Sequence, residues 1–166
     1  MNFSYWLNLR EHLLITADDE ATGKEFLAKV GRFHHQVGVA GENFPLLANL
    51  SVLENITVMR MYHENESRRK AFSNVEASVK ALHMEDALHK RDGELSHAER
   101  LKAFALRSAA KGDIIHLLAE PRISDVQITL QAVESLPKPL RLWVLCLADD
   151  AAMYQNFDLR RIEVRA

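Results

Sequence analysis

The chain has 166 residues, of which 48% are hydrophobic and 27% charged, the balance of one ordinary globular domain. A formal net charge of −2 excludes the clustered positive charge that nucleic-acid binders need, and the short run Arg68, Arg69, Lys70 fits a solvated helix face. No apolar run approaches the roughly 20 residues that span a bilayer, and MNFSYWLNLREHLL lacks a signal peptide's basic start. Any membrane contact is therefore expected through another protein.

In chain order, FSYWLNL (3–9) and HLLIT (12–16) predict two strands. The polar cluster 17–23 follows, and then a helical pattern over 24–29 with Phe26, Leu27 and Val30 as its apolar positions. QVGVA (36–40) predicts a short strand, with Gly38, Gly41 and Pro45 marking turns. From 51 to 110 the chain reads as helical. Ser51 with Glu54, and Ser96 with Glu99, have the spacing of capping boxes. One helix is expected to about Tyr62. A second spans about 67–82 with Phe72, Val75, Val79 and Leu82 on one face, and a third runs from Ser96 to Ala110 with a stripe of Leu101, Phe104, Ala105 and Ala109. Residues 85–94 read as a polar linker.

The runs DIIHLLA (113–119) and LRLWVLCLA (140–148) predict strands covered on both faces, as in a parallel sheet. Between them, 126–136 reads as a crossover helix ended by Pro137 and Pro139. RRIEVR (160–165) predicts a last strand. The lone cysteine, Cys146, lies inside an apolar run and reads as a buried small hydrophobe. The order strand–helix–strand, helical insert, strand–helix–strand predicts an α/β fold.

Residues 94–121 read ELSHAERLKAFALRSAAKGDIIHLLAEP. This segment resembles the signature motif, basic helix and Walker B strand of the ABC-transporter ATP-binding domain, with Leu95-Ser96 opening the signature and Ala119-Glu120-Pro121 closing the strand. Upstream, ENFPLLANLSVLENI (42–56) resembles that family's Q-loop and the helix after it. DDEATGKE (18–25) stands where Walker A would be. The resemblance implies a P-loop NTPase-like core sheet at about 1–44 and 112–166 and a helical subdomain at about 45–111. Only eighteen positions separate Lys24 from Glu42, so the family's antiparallel β-subdomain is expected to be largely deleted.

The departures from the family pattern concern catalysis. Gly23 and Lys24 survive from the phosphate loop. Asp18 replaces its first glycine, and Glu25 replaces the hydroxyl that holds Mg²⁺. Four carboxylates (Asp18, Asp19, Glu20, Glu25) then surround a site meant for a polyanion, which disfavours it. The plain alternative for this stretch is a helix N-terminus whose acidic residues suit the helix dipole. Ala119 stands at the Walker B aspartate and Glu120 at the general base. Glu42 replaces the Q-loop glutamine, and the switch histidine falls at Ala148 or Asp149. His97 and Ala98 replace the two signature glycines, while Asp125 remains in the D-loop stretch.

Gly23, Lys24, Glu42, Ser96 and Glu120 are therefore expected to form a vestigial nucleotide site, with no bound ATP or Mg²⁺ and no catalytic residue. His34-His35 lacks the partners of a metal site, and Ser96, His97 and Glu99 lie too close in sequence to form a triad. Two functional expectations follow. The chain is a pseudo-ATPase at the cytoplasmic face of a membrane, gripping a permease or an intact ATPase subunit through 42–53, with Phe44, Leu46, Leu47 and Leu50 as contacts. Alternatively, it is a weak or composite-site ATPase subunit relying on Lys24 and Glu120.

Overall fold

A computed structural model describes residues 3–32, 36–41 and 43–164. Five strands form one parallel sheet: β1 (Leu13–Ala17), β2 (Val37–Ala40), β3 (Ile115–Ala119), β4 (Arg141–Leu147) and β5 (Arg160–Val164). Their spatial order is β2-β3-β4-β1-β5. All five residues of β1 are buried, because β4 and β5 flank it and helices cover both faces. That is why its sequence, LLITA, carries no polar alternation.

Helix α1 (Phe3–Asn8) and helix α2 (Glu20–Gly31) cover one face. There Trp6 and Phe26 meet with ring centroids 6.1 Å apart above Leu13, Ile15, Leu117 and Leu145. Four helices, α3 (Val52–His63), α4 (Arg68–Ala81), α5 (His97–Lys111) and α6 (Ile123–Ser135), belong to the other side. Their apolar residues merge with Leu14, Leu118, Leu142 and Val144 of the sheet into one buried cluster. Both expected capping boxes form, at Ser51/Glu54 and Ser96/Glu99. Gly112, with φ 86°, closes α5 in the left-handed conformation that favours glycine.

Three expectations are corrected. Residues 3–8 are helical rather than extended, because Arg141, far away in sequence, donates to the carbonyls of Leu7 and Leu9 and satisfies the end of that short turn. Gly38 lies within β2 and marks no turn. A Cβ there would stand 2.1 Å from Ser108 Oγ and 2.5 Å from Asp113 Oδ2, so glycine allows α5 to approach the strand. The 85–94 stretch is no free linker: it forms two 3-10 turns, the first of which buries Ala87 and Leu88, and Arg91 bridges to Ser51.

Candidate functional site

The sequence reading placed a nucleotide site at the carboxyl ends of β1 and β3, and the backbone there can be followed residue by residue. Only Asp18 and Asp19 separate the end of β1 from the start of α2. Asp19 is extended (φ −152°) and caps the helix: its Oδ1 accepts from Thr22 N at 2.7 Å, and its carbonyl accepts from Gly23 N at 3.1 Å. These bonds to Thr22 hold the Asp19 carboxyl below its ordinary range. The helix thus starts four residues before Lys24, a correction to the expected 24–29. Gly23 is buried in its first turn, and Lys24 is exposed, 3.2 Å from Glu20. Glu25 pairs with Lys29 at 2.6 Å. A phosphate loop needs several backbone N–H groups free to converge on one anion. Here a two-residue connection replaces the loop, and the chain's own carboxylate takes the amide of Thr22.

At the end of β3, the Ala119 side chain offers no ligand atom. Glu120 is exposed, adopts φ 52° and donates its N–H to Leu145 O at 2.8 Å. Tyr154, from the 3-10 segment after β4, donates to Pro121 O and pins the turn. Ala148 and Asp149, the candidate switch positions, open that 3-10 segment. Glu42 lies outside the described residues, as do His34 and His35. Among the described residues, no three His, Cys, Asp or Glu side chains are grouped to hold a metal ion.

The signature stretch has become a self-contained helix start. Ser96 caps α5 by accepting from Glu99 N, and Glu99 Oε2 accepts from Ser96 N at 2.8 Å. Lys90, 2.6 Å from Glu99, draws that carboxyl down to about 2 together with the Ser96 bonds. His97 Nε2 lies 2.7 Å from Asp125 Oδ1 at the start of α6. The carboxylate there is the acceptor and the ring the donor. This pair lies on the wall of a cleft of about 400 Å³ that is also lined by Gly41, Pro45, Arg100, Phe104 and Glu120. Sequence reasoning named both residues and missed their contact, which joins segments 28 positions apart.

The second candidate region is the loop from 41 to 51. Leu46 is 2% exposed and belongs to the core, so it leaves the expected contact set. Phe44 and Leu47 are exposed, at 37% and 52%, and Leu50 is half-buried. Two side chains fix this backbone. Buried Asn55 on α3 accepts from Leu47 N at 2.8 Å and donates to the carbonyls of Leu47, Leu50 and Ser51 at 3.0–3.2 Å. Arg107 on α5 donates to Pro45 O (2.8 Å), Phe44 O (3.0 Å) and Val39 O (3.2 Å), with its guanidinium 5.0 Å from the Phe104 ring centroid. Beside the loop lies a groove of about 380 Å³ walled by Val30, Val39, Phe44, Leu47, Val58 and Met59. At its inner end, buried Asp113 sits 2.9 Å from Lys111, and burial pushes its carboxyl up to about 6. Ser108 Oγ is 2.8 Å from Nδ1 of His116, whose complete burial pulls its basicity down to about 3.

With this geometry in hand, the comparisons decide the fold. A metal-chelate type ABC transporter in an inward-facing conformation matches with TM-score 0.67 and 14% identity, over 93% of this chain and 69% of that one. The ADP conformation of MJ1267, an ATP-binding cassette of an ABC transporter, matches with TM-score 0.64 and 14% identity, over 94% and 79%. The cassette MJ0796, in a dimeric post-hydrolysis state with ADP and Pi, matches with TM-score 0.60 and 15% identity, over 93% and 81%. The chain has the fold of an ABC ATP-binding cassette. No family model and no curated protein matches the sequence. The ABC-cassette fold is thus kept on a chain that builds only two residues between β1 and α2.

Proposed function

We propose that this ABC-cassette-like chain neither binds nor hydrolyses ATP and acts by holding a protein partner. The observation that carries this reading is the β1–α2 connection, where Asp18 and Asp19 replace a phosphate loop and Asp19 caps the helix itself. The residues do not fit Mg-ATP. Lys24 faces Glu20, Glu25 faces Lys29, and Ala119 has no side-chain oxygen to offer a cation. Phosphoryl transfer relies on positioning and charge neutralisation, and both are missing here. Gly23, Lys24, Ser96 and Glu120 are then remnants that serve helix starts or face solvent.

The partner face is the rigid loop carrying Phe44, Leu47 and Leu50, and the partner is a permease's cytoplasmic surface or an intact ATPase subunit. The working place is the cytoplasmic side of a membrane. No helix among the described residues is long and apolar enough to cross a membrane. Exposed apolar side chains on a backbone fixed by Asn55 and Arg107 favour binding, because little order remains to be imposed.

The test has two arms. Purified chain should release no phosphate from Mg-ATP above the level of Glu120→Gln; turnover that this substitution abolishes would establish the composite or weak ATPase instead. Leu47→Asp should remove binding to the partner, once purified, while leaving the fold intact; retained binding would exclude this face.

A further inference from the structure

β2 is an edge of the sheet, pairing with β3 alone among the described strands. Strand geometry decides which of its groups point outward. Gln36 O accepts from Ile115 N, so by alternation Gly38 and Ala40 serve β3 while Val37 and Val39 turn their N–H and C=O to the open side. The two outward carbonyls accept from side chains of α5: Val37 O from Lys111 Nζ at 3.4 Å, and Val39 O from Arg107 Nη2 at 3.2 Å. The spacing explains the match, since four residues of helix rise about 6 Å and two residues of strand about 6.6 Å.

These covers are easily withdrawn. Lys111 has Asp113 at 2.9 Å, and Arg107 keeps Phe44 O and Pro45 O. The apolar groove runs along this same edge, with Val30 on one side of the sheet and Val58 and Met59 on the other. Its ionic residues are two cations, Arg107 and Lys111, against one carboxylate, Asp113.

We propose that the groove beside β2 takes an extended, apolar, acid-flanked segment of a partner protein, added to the sheet as a sixth strand. A strand laid about 4.8 Å from β2 would supply N–H donors to Val37 O and Val39 O in place of the two cations. Its alternate side chains would enter the pocket between Phe44, Leu47 and Met59, and its acidic end would meet the positive excess. This assignment rests on the partner-binding reading above and specifies the form of the partner.

The test uses the whole chain and a display library of heptapeptides with apolar residues at alternate positions and Glu or Asp at either end. A peptide selected from it is measured by fluorescence anisotropy. Methylating its backbone nitrogens on the residues that face β2 should weaken binding at least tenfold, and methylating the intervening ones should change it less than threefold. Val39→Pro removes one outward N–H and leaves the β3 ladder, so it should weaken binding comparably. If that variant does not fold, the methylated peptides decide on the unaltered protein. An empty selection, or binding indifferent to methylation, overturns the proposal. Indifference to methylation with loss on Leu47→Asp would keep the partner face and reject strand addition; the reverse pattern would keep strand addition and reject that face. A dimer by light scattering that the peptide dissociates would make the occupant a second copy and overturn the assignment to a foreign segment.

Discussion

The two loops at the carboxyl ends of β1 and β2 are held in opposite ways. After β1, two residues suffice, and the hold is local: Asp19 caps the helix that begins beside it. After β2, the chain takes eleven residues to reach α3, and its hold comes from two side chains, Asn55 four to eight positions on and Arg107 more than 60 positions away. The first loop satisfies an amide of its helix terminus with its own carboxylate. The second fixes its backbone from within and leaves Phe44 and Leu47 outside. In a cassette fold, chemistry would occupy the first place; here the side-chain contacts that fix a surface are concentrated at the second.

The sharpest way to break this contrast is to remove each hold. Asn55→Ala leaves Leu47 N and Leu50 O without their partner inside the protein, and should lower unfolding stability by about 3 kcal/mol. Urea denaturation with an unchanged slope checks it. A loss below about 1 kcal/mol would mean that water replaces the clamp and the loop is not fixed from within.

The next effect concerns the buried groups at the inner end of the groove. The folded-state value of His116 lies below its ordinary one, so its contribution is present at neutral pH and fades as pH falls from about 6.5 toward 3. That of Asp113 is raised, so its contribution is present below about 4 and fades as pH rises through about 6. Between about pH 6 and 4.5 the two oppose each other. Asp113→Asn removes one of them, and stability should then fall by about 2 kcal/mol over that window, one proton's worth of slope. Chemical denaturation at several pH values reads it; an unchanged profile would mean that neither group is held as the geometry indicates. Glu66, 2.8 Å from Arg60, and Glu99, beside Lys90, are both drawn down to about 2 by these cations and add their acid sensitivity below about pH 4.5.

Smaller again is the cap. Asp19→Ala should lose only about 1 kcal/mol, the usual worth of one N-cap, and Asn55→Ala should exceed it in the same assay. The least effect has the opposite sign. Glu120 is strained at φ 52°, so Glu120→Gly should gain about 1 kcal/mol by thermal unfolding. A net loss would show that the Glu120 side chain makes a contribution beyond the backbone geometry described.

What the sequence made legible follows the range of the interactions. The strands 13–17, 115–119 and 141–147 were readable because burial on both faces demands continuous apolar runs. The caps at Ser51 and Ser96 were readable because all their atoms lie within four residues. Gly23-Lys24 invited reading 18–25 as a degraded loop, and the alternative of an acidic helix start describes what α2 does. Residues 3–8 misled because their termination depends on Arg141. Asn55 left one signal, a polar residue beside buried Ile56 and Thr57. Gly38 left another, since glycine inside a strand marks a close approach. The reach of Arg107 to three carbonyls, and the His97–Asp125 contact, left none that spacing could expose.

The central question is whether the β1–α2 connection still admits a nucleotide. Thermal unfolding of the purified chain, with and without millimolar Mg-ATP, measures this. Ligand at 100 times its dissociation constant would add about 2.7 kcal/mol of stability, a rise of a few degrees for a domain of this size. No shift is expected, for the native chain and for Lys24→Ala alike. A saturable rise that Lys24→Ala removes would contradict it and return this chain to the ATP-binding cassettes in function as well as in fold.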